Sequence, residues 1–108
     1  MATHSLDQTF RALASPTRRA VVERLTSGPA TVSELAEPFD IALPSFMQHL
    51  QTLEDCGLIV TRKKGRTRIV RVQTQRLKRA SAWLAKQQEL WETRLNQLET
   101  YAKNIEKE

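Results

Sequence analysis

The spacing of apolar residues between positions 31 and 58 predicts two short helices joined by a tight turn. Thr31 suits the N-cap of the first helix, and Glu34, three residues on, completes the pattern of a capping box. Pro38 ends this helix early, because the residue before a proline is disfavoured in the α conformation. The apolar residues between them recur at helical spacing: Val32, Leu35 and Ala36.

A second, longer helix follows a turn at residues 39–41, where we expect Asp40 to take a left-handed conformation. Pro44 favours a helix start at that position, because its missing N–H has no partner within a first turn. The helix is expected to run to about Cys56, and the glycine after it is a usual stop. A short helix, a tight turn and a longer helix form the plan of a helix-turn-helix, here at about residues 31–57.

The second helix of this motif has two different faces. Its apolar residues lie within a narrow arc and are expected to point into the core. The opposite face carries serine and glutamine side chains, which hydrogen-bond to base edges in a major groove. Taken alone, that face also fits an uncharged surface helix. His49 lies on its flank, where a phosphate contact, a base contact and partial burial are all open alternatives. The inward residues are Phe46, Leu50 and Leu53, and the outward ones are Pro44, Ser45, Gln48, Gln51, Thr52 and Asp55.

Two further helices are predicted before the motif. Ser15 and Pro16 fit the N-cap and first position of a helix that ends at the Ser-Gly-Pro sequence of residues 27–29. An apolar stripe marks an earlier helix: Leu6, Phe10, Leu13 and Ala14. In the helix after Ser15, we expect Ala20, Val21, Val22 and Leu25 to face inward, and Arg18, Arg19, Glu23 and Arg24 to lie in solvent.

After the motif, at about residues 58–72, the pattern changes from a helical period to alternation, which predicts a β-hairpin. Gly65 and Arg66 form its two-residue turn, with glycine at the first position. We call this hairpin the wing.

Positive charge concentrates on the wing and just after it. Nine Lys and Arg residues and no acid lie between Arg62 and Arg79, in a chain of net charge +5. A solvated protein surface normally carries charges of both signs. A run of positive charge alone is better explained by binding to DNA phosphates, because their neutralisation releases counterions. The candidates for backbone or minor-groove contact are Arg62, Lys63, Lys64, Arg66 and Arg68.

The last segment, at about residues 74–105, predicts one long helix with large apolar residues at seven-residue spacing. A helix of about thirty residues spans roughly 45 Å, which is too long for one small domain to cover. We expect the same helix of a second copy to cover it in a two-fold dimer; the alternative is a helix that folds back on its own core. The residues expected at the dimer interface are Leu6, Phe10, Leu84, Trp91, Leu95 and Leu98.

The length of 108 residues fits one domain, mainly α with a small β-hairpin. The sequence has neither an apolar run of membrane-spanning length nor the pattern of a signal peptide. A single cysteine excludes an internal disulfide and favours a cytoplasmic location. No grouping of acid, base and nucleophile indicates an enzyme, and no cofactor is expected.

Several sequence motifs are similar to those of the ArsR-type winged helix-turn-helix repressors. FRALASPTRR at 10–19 resembles the family's N-terminal motif. VSELA at 32–36 resembles the first helix of the family's helix-turn-helix, and HLQTLEDCGLI at 49–59 resembles the end of the second helix. The resemblance covers nearly the whole chain and implies a winged helix-turn-helix with N- and C-terminal dimerisation helices. LPSFMQHL at 43–50 is similar to the branch of the family that lacks metal sites.

The sequence departs from the metal-sensing members of that family. Where they carry a Cys-x-Cys pair, this chain has Thr31 and Ser33, and residues 73–108 contain neither His nor Asp. The two histidines, His4 and His49, and the single cysteine are scattered and do not make a tetrahedral site. We therefore expect no bound metal.

Together these features predict a sequence-specific repressor that binds a double-stranded DNA operator as a homodimer and has no membrane partner. Two alternatives stay open. One is a regulator that responds to redox through Cys56, which we otherwise expect to be buried and inert. The other is a winged-helix module that binds protein. The candidates for base contact are Ser45 and Gln48 first, then His49, Gln51 and Pro44.

Overall fold

The computed structural model describes residues 6–107 and has the predicted winged helix-turn-helix architecture. Within this range the helices are α1 (Leu6–Leu13), α2 (Pro16–Leu25), α3 (Val32–Ala36), α4 (Leu43–Asp55) and α5 (Thr74–Lys107). The strands are β1 (Ala30–Thr31), β2 (Ile59–Lys64) and β3 (Thr67–Val72).

Helix α2 begins as its sequence predicts. Ser15 is the N-cap, and its hydroxyl oxygen accepts from the backbone N–H of Arg18 at 3.3 Å, with Pro16 in the first turn. One expectation for this helix was wrong: Arg18 is half-buried rather than solvent-exposed. The reason is that its guanidinium donates to the carbonyl oxygens of Arg11 and Ala12 in the last turn of α1, where carbonyls lack the full set of intrahelical partners.

The capping box at α3 is present in full. The backbone N–H of Glu34 donates to Thr31 Oγ1, and the backbone N–H of Thr31 donates to Glu34 Oε1, both at 3.1 Å. The bond from the Thr31 backbone lowers the pKa of the Glu34 carboxyl below its ordinary value. Two of the donors that a helix start leaves unpaired are therefore satisfied within the motif.

The turn between α3 and α4 differs from the prediction in one respect. Asp40 does not adopt the left-handed conformation, and positive φ angles within residues 6–107 occur at glycine alone. The chain leaves α3 through a bond from the N–H of Phe39 to the carbonyl of Ala36, and the extended Ala42 then starts α4. Because α4 begins at Leu43 from this extended residue, the turn needs no left-handed residue.

The inner face of α4 forms the centre of the core, as its spacing predicts. Phe46, Leu50 and Leu53 are all buried, and the ring of Phe46 lies 5.4 Å from that of Phe39 in the turn. These residues pack with buried residues of α2, α3, the strands and the segment before β2: Val21, Val22, Leu25, Leu35, Leu58, Ile59 and Val70.

The wing is the predicted hairpin, with Lys64 paired to Thr67 across the turn. Gly65 has a φ of 63° and Arg66 does not have a positive φ, which fits the turn type with glycine at its first position. The short strand β1 was not predicted. It pairs with β3, placing Ala30 opposite Val70, so the sheet has the order β1-β3-β2 and links the wing to the start of α3.

Among residues 6–107, helix α5 packs on its own domain only at its beginning. Ala80 is buried, and the ring of Trp83 meets Phe10 of α1 edge to face at 5.9 Å. Beyond this point the apolar residues lie in solvent, and the molecule measures 75 × 34 × 22 Å. Trp91 is 66% exposed and Leu98 is 58% exposed. The helix does not fold back on its own core.

The capping box provides a test of the fold. Thr31→Ala removes the oxygen that accepts from Glu34 and should lower the free energy of unfolding by about 1 kcal/mol. Urea denaturation measures it, with Ser33→Ala in the same helix as the control, since the Ser33 side chain is exposed and takes no part in the capping box. Equal stabilities of the two variants would contradict the role of the cap.

The folded-state pKa of Glu34 is lowered, so the contribution of its carboxylate to the free energy of unfolding is present at neutral pH. That contribution is lost as the pH falls through the folded-state pKa.

Candidate nucleic-acid interface

The outward face of α4 presents polar groups that other side chains leave available. Pro44, Ser45, Gln48 and Gln51 are exposed. The amide of Gln51 donates to Asp55 Oδ1 at 2.8 Å, so part of its hydrogen-bonding capacity is used within the helix. Ser45 and Gln48 make no such side-chain bond to any residue in 6–107, and both can engage a ligand outside the protein.

His49 lies on the flank of this face and is half-buried. Its Nδ1 is 3.1 Å from Nη1 of Arg18, which reaches it from α2. The ring is therefore partly buried and one of its nitrogens has a partner, while a contact of His49 with a phosphate or a base stays a prediction.

The wing carries five exposed cations: Arg62, Lys63, Lys64, Arg66 and Arg68. The ion pairs in the part of the chain that the structure describes lie elsewhere, at Arg24–Glu34 and Lys103–Glu99. Wing charges without acidic partners keep their full attraction for an external anion.

The wing and the helix-turn-helix border one concave surface. A shallow cavity between them is lined by Arg66 and Arg68 from the wing, Thr31 and Ser33 from the start of α3, and Met47 of α4. Cationic groups of the wing and hydroxyl groups at the start of α3 therefore meet on the same side of the molecule, beside Met47 of α4. These types of group bind phosphate oxygens.

Cys56 ends α4 and is buried, with 9% of its surface exposed. Burial raises the pKa of its thiol, the Asp55 carboxylate raises this pKa further, and the guanidinium groups of Arg18 and Arg11 oppose the shift in part. A reactive redox thiol needs a lowered pKa and access to solvent. The environment of Cys56 provides neither.

Metal ligation finds no support in the described residues. Within 6–107, no three His, Cys, Asp or Glu side chains lie close enough together to hold an ion, and Thr31 and Ser33 supply only hydroxyls. His4 lies outside the described residues, so the absence of a bound metal stays a prediction.

No helix within residues 6–107 is both long and apolar enough to cross a membrane.

Sequence reasoning missed Arg18 as a residue of this region. It was expected to lie in solvent together with the other charged residues of α2. Its contact with His49 joins residues 31 positions apart, and no periodicity of either helix encodes such a contact. The motif at residues 10–19 contains Arg18 and could have drawn attention to it, although a motif does not indicate which atoms the side chain contacts.

The state of Cys56 can be measured by alkylation. Because burial raises its pKa and limits access, iodoacetamide at pH 8 should modify the folded protein on the order of ten times more slowly than the urea-unfolded chain. Mass spectrometry of samples quenched over time gives both rates from the single cysteine. Equal rates would place the thiol at the surface and restore the redox alternative.

Comparison with known proteins agrees with this architecture. A family model described as a helix-turn-helix domain matches residues 13–62. The chain is 43% identical over 65 residues to the HTH-type transcriptional regulator Rv2034 of Mycobacterium tuberculosis, covering 60% of this chain and 61% of that protein. It is 30% identical over 79 residues to the transcriptional repressor SdpR of Bacillus subtilis, covering 73% of this chain and 88% of that one.

Solved structures extend the likeness to three dimensions. A crystal structure of an ArsR family transcriptional regulator matches with a TM-score of 0.76 and 60% sequence identity, over 81% of this chain and 90% of that one. An ArsR-like transcriptional regulator from Rhodococcus sp. RHA1 matches with a TM-score of 0.75 and 27% identity, over 90% and 92% of the two chains. The chain therefore belongs to the ArsR family of winged helix-turn-helix transcriptional regulators.

Proposed function

We propose that this protein is a repressor that binds a specific DNA operator as a homodimer. The observation that carries the proposal is the cavity at which Met47 of α4 meets Arg66 and Arg68 of the wing. The outward face of α4 offers unpaired hydrogen-bonding groups at Ser45 and Gln48, and the adjoining wing offers unpaired cations. Base edges need the first kind of group and phosphates the second.

In this proposal α4 enters the major groove. Ser45 and Gln48, near its N-terminus, make the main base contacts, and His49 and Pro44 lie beside them. Gln51 contributes less, because its amide is engaged by Asp55. The wing cations hold the DNA backbone or the adjacent minor groove, which fixes the register of α4 on the duplex.

The homodimer is proposed from the surface of α5. Its exposed apolar residues extend over several turns, and a monomer leaves them in water: Trp83, Leu84, Leu90, Trp91, Leu95, Leu98, Tyr101 and Ile105. Two copies of the helix related by a two-fold axis would cover each other, and α1 adds Leu6 and the Phe10 ring beside Trp83. A two-fold dimer presents two α4 helices, which suits two half-sites about one helical turn of DNA apart.

The two alternatives fit the observations less well. A redox response through Cys56 conflicts with its burial and raised pKa. A module that binds protein does not account for the five wing cations without acidic partners. Binding that is insensitive to salt would favour the protein-binding alternative.

Selection of genomic fragments by the purified protein tests the proposal and identifies the operator. The selected fragments should share a pseudo-palindromic sequence. Ser45→Ala and Gln48→Ala should then each relax the preference at particular base pairs, by about 1–3 kcal/mol of discrimination for a good contact. Ser27→Ala, an exposed serine outside α4, is the matched control. Recovery of no common sequence would refute sequence-specific binding.

The wing should act through charge alone. Lys63→Ala, Lys64→Ala and Arg66→Ala should each weaken binding to all DNA sequences and reduce the slope of log K against log salt by about two per dimer, since each phosphate contact contributes about 0.9 in each protomer. Fluorescence anisotropy over a salt series measures this slope. Lys107→Ala removes an equal charge at the far end of α5 and should leave it unchanged. Loss of discrimination at one base pair with an unchanged slope would contradict a phosphate role.

The dimer should depend on the seven-residue spacing in α5. Trp91→Ala combined with Leu98→Ala should give monomers or unfolded chains, because truncating a large buried side chain costs about 2–5 kcal/mol and the two-fold axis doubles each change. Analytical ultracentrifugation at micromolar concentration tests this. Thr93→Ala with Thr100→Ala has the same spacing on the opposite, polar face and should remain dimeric. A wild-type protein that sediments as a monomer would disprove the dimer.

A further inference from the structure

Arg18 joins three helices through one guanidinium group. Its Nε donates to the carbonyl of Ala12 at 2.7 Å, and its Nη2 donates to the carbonyl of Arg11 at 3.2 Å. Its Nη1 lies 3.1 Å from Nδ1 of His49 on α4. The position of this side chain is therefore fixed at one end by the last turn of α1 and at the other by the helix proposed to read DNA.

The contact with Arg18 determines where His49 carries its proton. A guanidinium has five N–H donors, no acceptor, and does not lose its proton in proteins. Because Nη1 is the donor, Nδ1 of His49 is the acceptor and its ring proton is on Nε2. His49 is thereby left with one N–H donor on the other side of its ring.

His49 lies next to the outward face of α4. His49 follows Ser45 by four residues, so the two are neighbours on the helix surface, and Ser45 is exposed. Within residues 6–107, Arg18 is the side-chain partner that the structure gives His49. A half-buried ring with one nitrogen held and one N–H remaining has the form of a preset hydrogen-bond donor.

We propose that Arg18 is a positioning residue for operator recognition, which holds His49 so that its Nε2–H donates to an acceptor on DNA. This inference rests on the proposed function. The acceptor is an oxygen or nitrogen of the duplex, either a purine N7 or O6 in the major groove or a phosphate oxygen. Arg18 itself does not touch DNA and acts through the orientation and proton position of the imidazole.

Arg18→Lys is the central variant. A lysine keeps the charge but has one terminal nitrogen, so it cannot bridge α1 and His49 with the geometry of a guanidinium. Arg19→Lys is the matched control, because Arg19 also donates to an α1 carbonyl, that of Leu13 at 2.8 Å, and its side chain makes no hydrogen bond to α4 within residues 6–107. Loss of one hydrogen bond in each half-site should weaken operator binding by about fivefold per half-site in Arg18→Lys. Arg19→Lys should bind as the wild type does.

A double-mutant cycle separates positioning from general stability. If Arg18 acts through His49, Arg18→Lys should weaken binding in the wild-type background and have little further effect in the His49→Ala background. An equal loss in both backgrounds would overturn the inference, since it would mean that Arg18 acts independently of the imidazole. Unfolding in urea shows whether each variant is folded.

Nitrogen-15 NMR of the histidine ring in the free wild-type protein tests the inference without DNA. At a pH where the ring is not protonated at both nitrogens, wild-type His49 should show Nε2 protonated and Nδ1 unprotonated. Arg18→Lys should shift it toward a mixture. A proton on Nδ1 of His49 in the wild-type protein would overturn the inference even if the protein binds its operator. The absence of operator binding would instead refute the proposed function, and the position of the ring proton could still be measured.

The two sources of the acceptor are distinguished with His49→Ala on the selected operator and its single-base variants. A loss confined to one base pair identifies a purine edge, and a uniform loss with a smaller salt slope identifies a phosphate. Either result supports a donor role for His49. Wild-type affinity in His49→Ala would overturn it.

Discussion

The burial of one face of α4 is the constraint on which the other features depend. Phe46, Leu50 and Leu53 are at most 3% exposed and contact α2, α3 and the sheet, so α4 cannot rotate about its axis without exposing them. At 100° per residue, fixing these three fixes the direction of every other side chain on the helix. The polar face at Ser45 and Gln48 is thus oriented by hydrophobic packing, and its own residues remain free for recognition.

Electrostatics divides the molecule into parts with different tasks. Acidic residues are absent from Thr61 to Gln88, so the wing and the first half of α5 carry a field of one sign. Mutual repulsion of these cations is a cost in the free protein, and a polyanion that neutralises them removes it. The second half of α5 mixes both signs and exposes apolar surface, as at Trp91, which suits contact with protein.

Much of this fold is readable because its signals are local. The capping box at Thr31, the proline after Ser15 and the glycine at position 65 each determine a backbone feature within a few residues, and each was predicted correctly. The left-handed conformation expected at Asp40 was a local prediction that failed, because the chain enters α4 through the extended Ala42 instead. The other two failures involve features without a local signal. Strand β1 has two residues, which are too few to show a period. Arg18 contacts the carbonyl of Ala12 and the ring of His49, which come close to each other only in the folded chain. The candidate residues for DNA and for the dimer remain predictions, since exposure permits a contact without identifying it.

The pairing of β1 with β3 has a consequence for local unfolding. A two-stranded hairpin in water is marginally stable by itself. Here β1 adds a third strand to the wing, and its two residues lead directly into α3. Thr31 belongs both to this strand and to the cap of α3. An opening that breaks the cap therefore also removes a strand from the sheet, and the wing and the first motif helix become parts of one cooperative unit. Amide hydrogens of β3 that face β1 should then exchange with solvent together with those of α3, as a single event.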